Sequence, residues 1–236
     1  MRINLAGWRS AMSAAMMGWL LSASVAHAGI IWQESPPGAG SSIATAQVID
    51  NSVSNELDGI NGTLNAFTPQ SGSPAFEVDI FRTYISDLLG FSARTVSSNP
   101  QDDTALFLFD SAGRGVAMND DDSSSLLSLL PLGMTGSAGY YFLAVAVGGF
   151  EAFDINSFSV FLAGGFSDVR LGDPTAGVLD SWASPFSSGS ETAFSYQVVM
   201  TGASADVPEP ASLSLLLLGL AGLSAARKSA RATRNA

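Results

Sequence analysis

Asp103-Thr104-Ala105-Leu106-Phe107-Leu108-Phe109-Asp110-Ser111-Ala112-Gly113 is the stretch that decides the fold class. Residues 105–109 are apolar on both faces, as a central strand of a two-layer core must be. Asp110-Ser111-Ala112-Gly113 reads as the hairpin connection that follows, with Gly113 free to take positive φ. Residues 140–147 form a second run of the same kind. Leu106, Leu108, Tyr141, Leu143 and Val145 are therefore expected between two sheets. Outward from these runs the pattern becomes period two. Phe194, Tyr196, Val198 and Met200 share one face, with Ser195 and Gln197 on the other; Phe91, Ala93 and Thr95 alternate with Ser92 and Arg94. Phe158, Val160 and Leu162 alternate with Ser157 and Ser159.

No helical-period stretch of useful length occurs between residues 29 and 206. Gly, Ser, Asn and Asp clusters bound the strands instead, and Asn61-Gly62 reads as a further turn. The expected fold is all-β, a β-sandwich or jelly roll, over residues 45–206. Residues 29–44, with Pro36 and Pro37, read as an exposed leader, and residues 163–189 as a long connection or insertion before the last strand.

The composition excludes several function classes. The chain has 236 residues, no cysteine and one histidine, His27, and only 13% of its residues are charged. Disulfides and thiolate zinc sites are ruled out. Residues 29–206 hold four arginines, no lysine and twenty acids, a net charge of −16. Such a surface repels nucleic acid and anionic membranes.

Both ends read as addresses. Arg2 and Arg9 precede the uncharged, largely apolar residues 11–25, and Ala26-His27-Ala28 supplies a small-x-small cleavage pattern. Residues 1–28 therefore read as a secretory signal peptide, cut after Ala28. The mature chain then lacks His, Cys and Lys. Ser-His-Asp, Cys-His, Ser-Lys and Schiff-base chemistries cannot be assembled from it. No pair of carboxylates is singled out for glycoside hydrolysis. A non-catalytic protein is expected.

At the other end Val207-Pro208-Glu209-Pro210 precedes sixteen uncharged residues, 211–226, and then Arg227, Lys228, Arg231 and Arg234. As a helix, residues 211–226 would span about 24 Å, short for a hydrocarbon core of ~30 Å. The basic ends belong on the cytoplasmic side, with residues 29–206 outside. This ordered tail, residues 207–236, resembles the PEP-CTERM sorting signal. The resemblance implies an exosortase as partner, transient inner-membrane insertion through the C-terminal helix, and delivery to the cell surface or extracellular matrix. It also implies an association with exopolysaccharide.

Residues 45–162 resemble the bacterial pre-peptidase C-terminal domain. The resemblance rests on Glu77-Val78-Asp79-Ile80-Phe81, the stretch 103–110, Gly113, Asn119-Asp120-Asp121 and Gly139-Tyr140-Tyr141-Phe142-Leu143-Ala144-Val145. It implies a jelly-roll sandwich without catalytic function of its own.

One constellation suggests a ligand. Asn119-Asp120-Asp121-Asp122, near Asp103 and Asp110 in sequence, offers the hard oxygens that suit Ca²⁺, although no EF-hand loop is present. Asp120 and Asp122 lie two apart and would face the same side of an extended loop. They are expected to be joined by Asn119 and Asp110, or by Asp103 across the end of the sandwich. A solvated acidic turn is the competing reading. In function, the main expectation is a secreted surface or matrix protein; the alternative is a calcium-dependent polysaccharide- or matrix-binding module.

Overall fold

The computed structural model describes residues 29–36, 38–49, 56–65, 78–99, 101–183 and 193–204. The expected signal peptide, the sorting tail and both of their expected helices lie outside these residues. Among the described residues no helix is long and apolar enough to cross a membrane. In chain order the elements are β1 (Ile30–Gln33), a 3-10 turn (Ile43–Thr45), β2 (Gln47–Val48), β3 (Leu57–Leu64), β4 (Asp79–Ile85), β5 (Ser92–Val96), β6 (Thr104–Asp110), β7 (Gly115–Asn119), β8 (Leu129–Leu130), β9 (Gly139–Val147), β10 (Glu151–Phe153), β11 (Arg170–Leu171), β12 (Ser181–Ala183), β13 (Phe194–Thr201) and β14 (Ala203–Ser204).

The protein is all-β, built from mixed sheets. The first sheet has the order β1-β3-β13-β5-β8, and the second β11-β7-β6-β9-β4-β14, with β2 alongside β4. β1 runs parallel to β3 and β2 parallel to β4, while the remaining pairs are antiparallel. The stretch expected to be an exposed leader thus supplies an edge strand.

Register shows which side chains meet. Asp79 lies opposite Val145, and Val145 opposite Leu106; Phe81, Leu143 and Leu108 form the next row. These side chains share the face turned to the first sheet. The Tyr196 hydroxyl of β13 reaches across and donates to Asp79 Oδ2 at 2.9 Å. Leu106, Leu108, Leu143 and Val145 are fully buried there, and Tyr141 nearly so.

The other face of the second sheet is covered as well. Phe107 and Phe109 point away from the first sheet and pack against Phe161 and Trp182, with the Trp182 ring edge-on at 5.0 Å from Phe107 and 5.9 Å from Phe109. Ala105, Ala144 and Ala146 are completely buried, small side chains on that face that let the cover approach closely. Leu179 and Trp182 therefore join Phe161 in a second apolar layer, while residues 163–169 face solvent; residues 184–189 lie outside the described residues. Apolar runs on both faces of β6 and β9 follow from this double burial.

Two expectations fail for identifiable reasons. Asn61-Gly62 is no turn but the middle of β3, where Gly62 pairs with Tyr196. A Cβ on Gly62 would stand 2.3 Å from the Tyr196 hydroxyl, so the glycine makes room for a ring laid across it. Residues 157–162 make only isolated bridges, Phe153 with Ser159 and Phe161 with Gly172. Phe158 and Leu162 face solvent while Val160 and Phe161 are buried, because adjacent residues serve the cover in an irregular backbone. At the far end of β13 the chain passes to the second sheet through Gly202, whose φ of +72° suits a residue without a side chain.

Candidate functional site

The hairpin β6–β7 positions the acids. Leu106 pairs with Asn119 and Leu108 with Ala117, so the end of β7 returns beside the start of β6. Asp103, Asp120 and Asp121 converge there, each offering a carboxylate oxygen within 4.8 Å of the others. The Gly149 N–H, from the turn after β9, donates to both oxygens of Asp120 at 3.0 Å.

Of the five residues proposed as calcium ligands, the structure brings Asp103 and Asp120 together and adds Asp121. The other three are placed elsewhere. Asp110 sits at the opposite end of β6, where its Oδ1 accepts from the N–H groups of Ala112 and Arg114 and closes the hairpin. Asn119 is a brace: its Nδ2 donates to the carbonyls of Asp121 and Asp168, and its Oδ1 accepts from Leu129 N–H. Asp122 Oδ1 accepts from the Ser124 hydroxyl and the Ser125 N–H, capping its own turn. The period-two argument for Asp122 assumed a strand that continued; β7 ends at Asn119.

Asp120 is 6% exposed. Its pKa is pushed up to about 7, chiefly by burial; the Gly149 N–H opposes this, and the charges of Asp103, Asp121 and Glu151 add to it. Burial, then the neighbouring Asp122, raise Asp121 as well. Hydrogen bonds from Ser124 hold Asp122 below the ordinary carboxylate value. The group can thus either keep a proton or exchange it for a cation.

The pH dependence has a definite sign. Between the ordinary Asp value of 3.8 and about 7 the folded protein holds a proton at Asp120 that the unfolded chain has lost. Stability therefore falls as pH rises through that window. Asp122, Asp154 and Asp173 are shifted downward and titrate below it. In a chelator-containing buffer, melting midpoints from pH 4 to 8 are expected to decline, and Asp120→Asn is expected to flatten the decline and melt higher at pH 8. An unchanged slope in this variant would remove Asp120 as its source.

The sorting motif Val207-Pro208-Glu209-Pro210 and the expected cleavage residues Ala26 and Ala28 lie outside the described residues. Comparison with known proteins bears on the first of these. No curated protein and no solved structure matches the chain. Residues 206–228 match the PEP-CTERM protein-sorting motif. That motif marks the chain as a secreted protein targeted to an exosortase and sorted to the cell surface.

Proposed function

We propose that the mature protein is a non-catalytic resident of the extracellular polysaccharide matrix, delivered there by exosortase processing. The observation that carries this reading is the sorting motif at residues 206–228, attached to an acidic domain without lysine or cysteine. We read the two sheets sharing one core as a jelly-roll sandwich of the pre-peptidase C-terminal kind, in keeping with the expected order of strands around Asp103 and Tyr140. Fractionation of a producing culture tests the proposal. The processed protein should co-sediment with the polysaccharide matrix and be scarce in both inner membrane and free medium. Recovery mainly in the medium would reject matrix residence.

A second reading is favoured by the convergence of Asp103, Asp120 and Asp121. Three carboxylates, two of them with raised pKa values, suit a Ca²⁺ ion that binds the folded state. Millimolar Ca²⁺ should then raise the melting midpoint by mass action, Mg²⁺ less so because of its stricter geometry, and Asp120→Asn should abolish the difference. Equal effects of Ca²⁺, Mg²⁺ and NaCl at matched ionic strength would reduce the cluster to a screened acidic turn.

A further inference from the structure

The solvent face of the first sheet carries a groove that none of the foregoing uses. Its floor is a row of three side-chain amides on adjacent strands: Gln33 of β1 pairs with Asn61 of β3, and Asn61 with Gln197 of β13. Adjacent strands are about 4.8 Å apart, so the amides repeat at that interval. The hydroxyls of Thr63 and Ser195, 3.3 Å apart, form the row beside them. The groove has a volume of about 780 Å³. It does not end there. Through Ser97 and Ser98 it shares a wall with a second hollow of about 650 Å³, whose lining combines five serines with Asn99 and with Asp121 and Asp122 of the acidic cluster. Through Glu34 and Thr63 it meets a third of about 240 Å³. Three hollows in series make a track rather than a pocket.

We infer that this track binds a linear, neutral polysaccharide. Side-chain amides present donors and acceptors together, and hydroxyls do the same, which matches a ligand that is itself a ladder of hydroxyls. Charge excludes the anionic alternatives. Among the described residues no cation lines the groove, and Arg94 of β5 stands on the neighbouring row, opposite Val199. A uronate or sulfated chain would meet Arg94 only at the margin of the groove, in a domain of net charge −16. Among the described residues the one carboxylate in the central groove is Glu34, and it is already committed: its oxygens accept from the N–H groups of Ala39 and Thr63 at 3.0 and 2.9 Å. The row is joined side to side, the Asn61 Nδ2 donating to Gln33 Oε1 at 3.5 Å. Recognition does not use the tryptophans. Trp32 Nε1 donates to Gln47 and Trp182 Nε1 to the Ser41 carbonyl, and both rings pack on the core.

The inference rests on the reading of the protein as a matrix resident and names the chemistry that would hold it there. Native affinity electrophoresis of the processed, exported protein tests it, in gels containing dextran, hydroxyethylcellulose or galactomannan, with alginate as the anionic control. At least one neutral polymer should slow migration and alginate should not. Gln197→Ala and the isosteric Gln33→Glu should each weaken the retardation at least fivefold, with melting midpoints showing that the fold is kept. Absence of retardation in all three neutral gels would overturn the inference, as would equal retardation by alginate or full retardation of folded variants. The two readings fail separately. A protein that sediments with the matrix but passes freely through every neutral gel loses the groove and keeps its residence. One that is retarded but found free in the medium keeps the groove and loses its residence.

Discussion

Cells producing the chain with Pro208 and Glu209 both changed to alanine are expected to retain it, at full tail length, in the inner membrane. The matched motif spans residues 206–228 and has three physical parts. On the expected topology the prolines would break any helix running back toward the domain, the apolar residues that follow would enter the bilayer, and Arg227 and Lys228 would hold the far end in the cytoplasm. Changing Pro208 and Glu209 is expected to leave insertion intact and to remove the part of the motif proposed to be read by the exosortase. The unaltered protein should be recovered outside the cell with a C-terminus near Pro208 to Pro210, as mass spectrometry can show. The effect is close to all-or-none, since processing and release follow from one recognition event. Equal release of both proteins would mean that the tail is an ordinary anchor cut elsewhere.

The second large effect concerns the core. Leu108→Ala should lower the unfolding free energy by about 2–5 kcal/mol, and Phe107→Ala by about 3–5 kcal/mol, through lost transfer energy plus the cavity left behind. The two neighbours act on opposite sides of the same strand. Leu108 lies in a row with Phe81 and Leu143 beneath the first sheet, whereas Phe107 supports the Trp182 ring. Only the Phe107 variant should therefore also shift tryptophan emission. Ile155→Ala, at a side chain 75% exposed, is expected to stay within about 0.5 kcal/mol of the parent. Chemical denaturation checks all three. A wild-type midpoint for Leu108→Ala would place β6 at an edge and contradict its pairing on both sides.

Strands were legible where one physical cause dominated the sequence. β6 and β9 are apolar throughout because both of their faces are covered, and β5 and β13 alternate because only one is. The Asp110–Gly113 hairpin could be read because Asp110 caps it with its own carboxylate. The failures arose where one residue type serves two purposes. Gly62 looked like a turn signal and is a space for Tyr196. Phe158 and Leu162 mimic a strand face, but the backbone there follows the cover over Phe107 and Phe109. In the acidic cluster, proximity of Asp120 to Asp103 was within reach of hairpin counting. The choice of Asp121 over Asp122 was not, since it depends on where β7 stops and the Asp122 turn begins.

The way the chain leaves the fold bears on how the protein can be held. β14 is two residues long, pairs with Tyr84 and Ile85, accepts from the Thr83 hydroxyl at the Ser204 carbonyl, and ends at Ser204, four residues before Pro208. Four residues can span at most roughly 14 Å when fully extended, so anything joined to the chain near Pro208 would lie close to the body of the domain. A pull applied at the C-terminus meets β14 first and can unzip it at little cost. Beyond Gly202 the same pull meets β13, hydrogen-bonded to β3 on one side and β5 on the other. Tension from a flowing environment would thus lengthen the tether by a few residues and then stall against the middle of the first sheet, leaving the core closed.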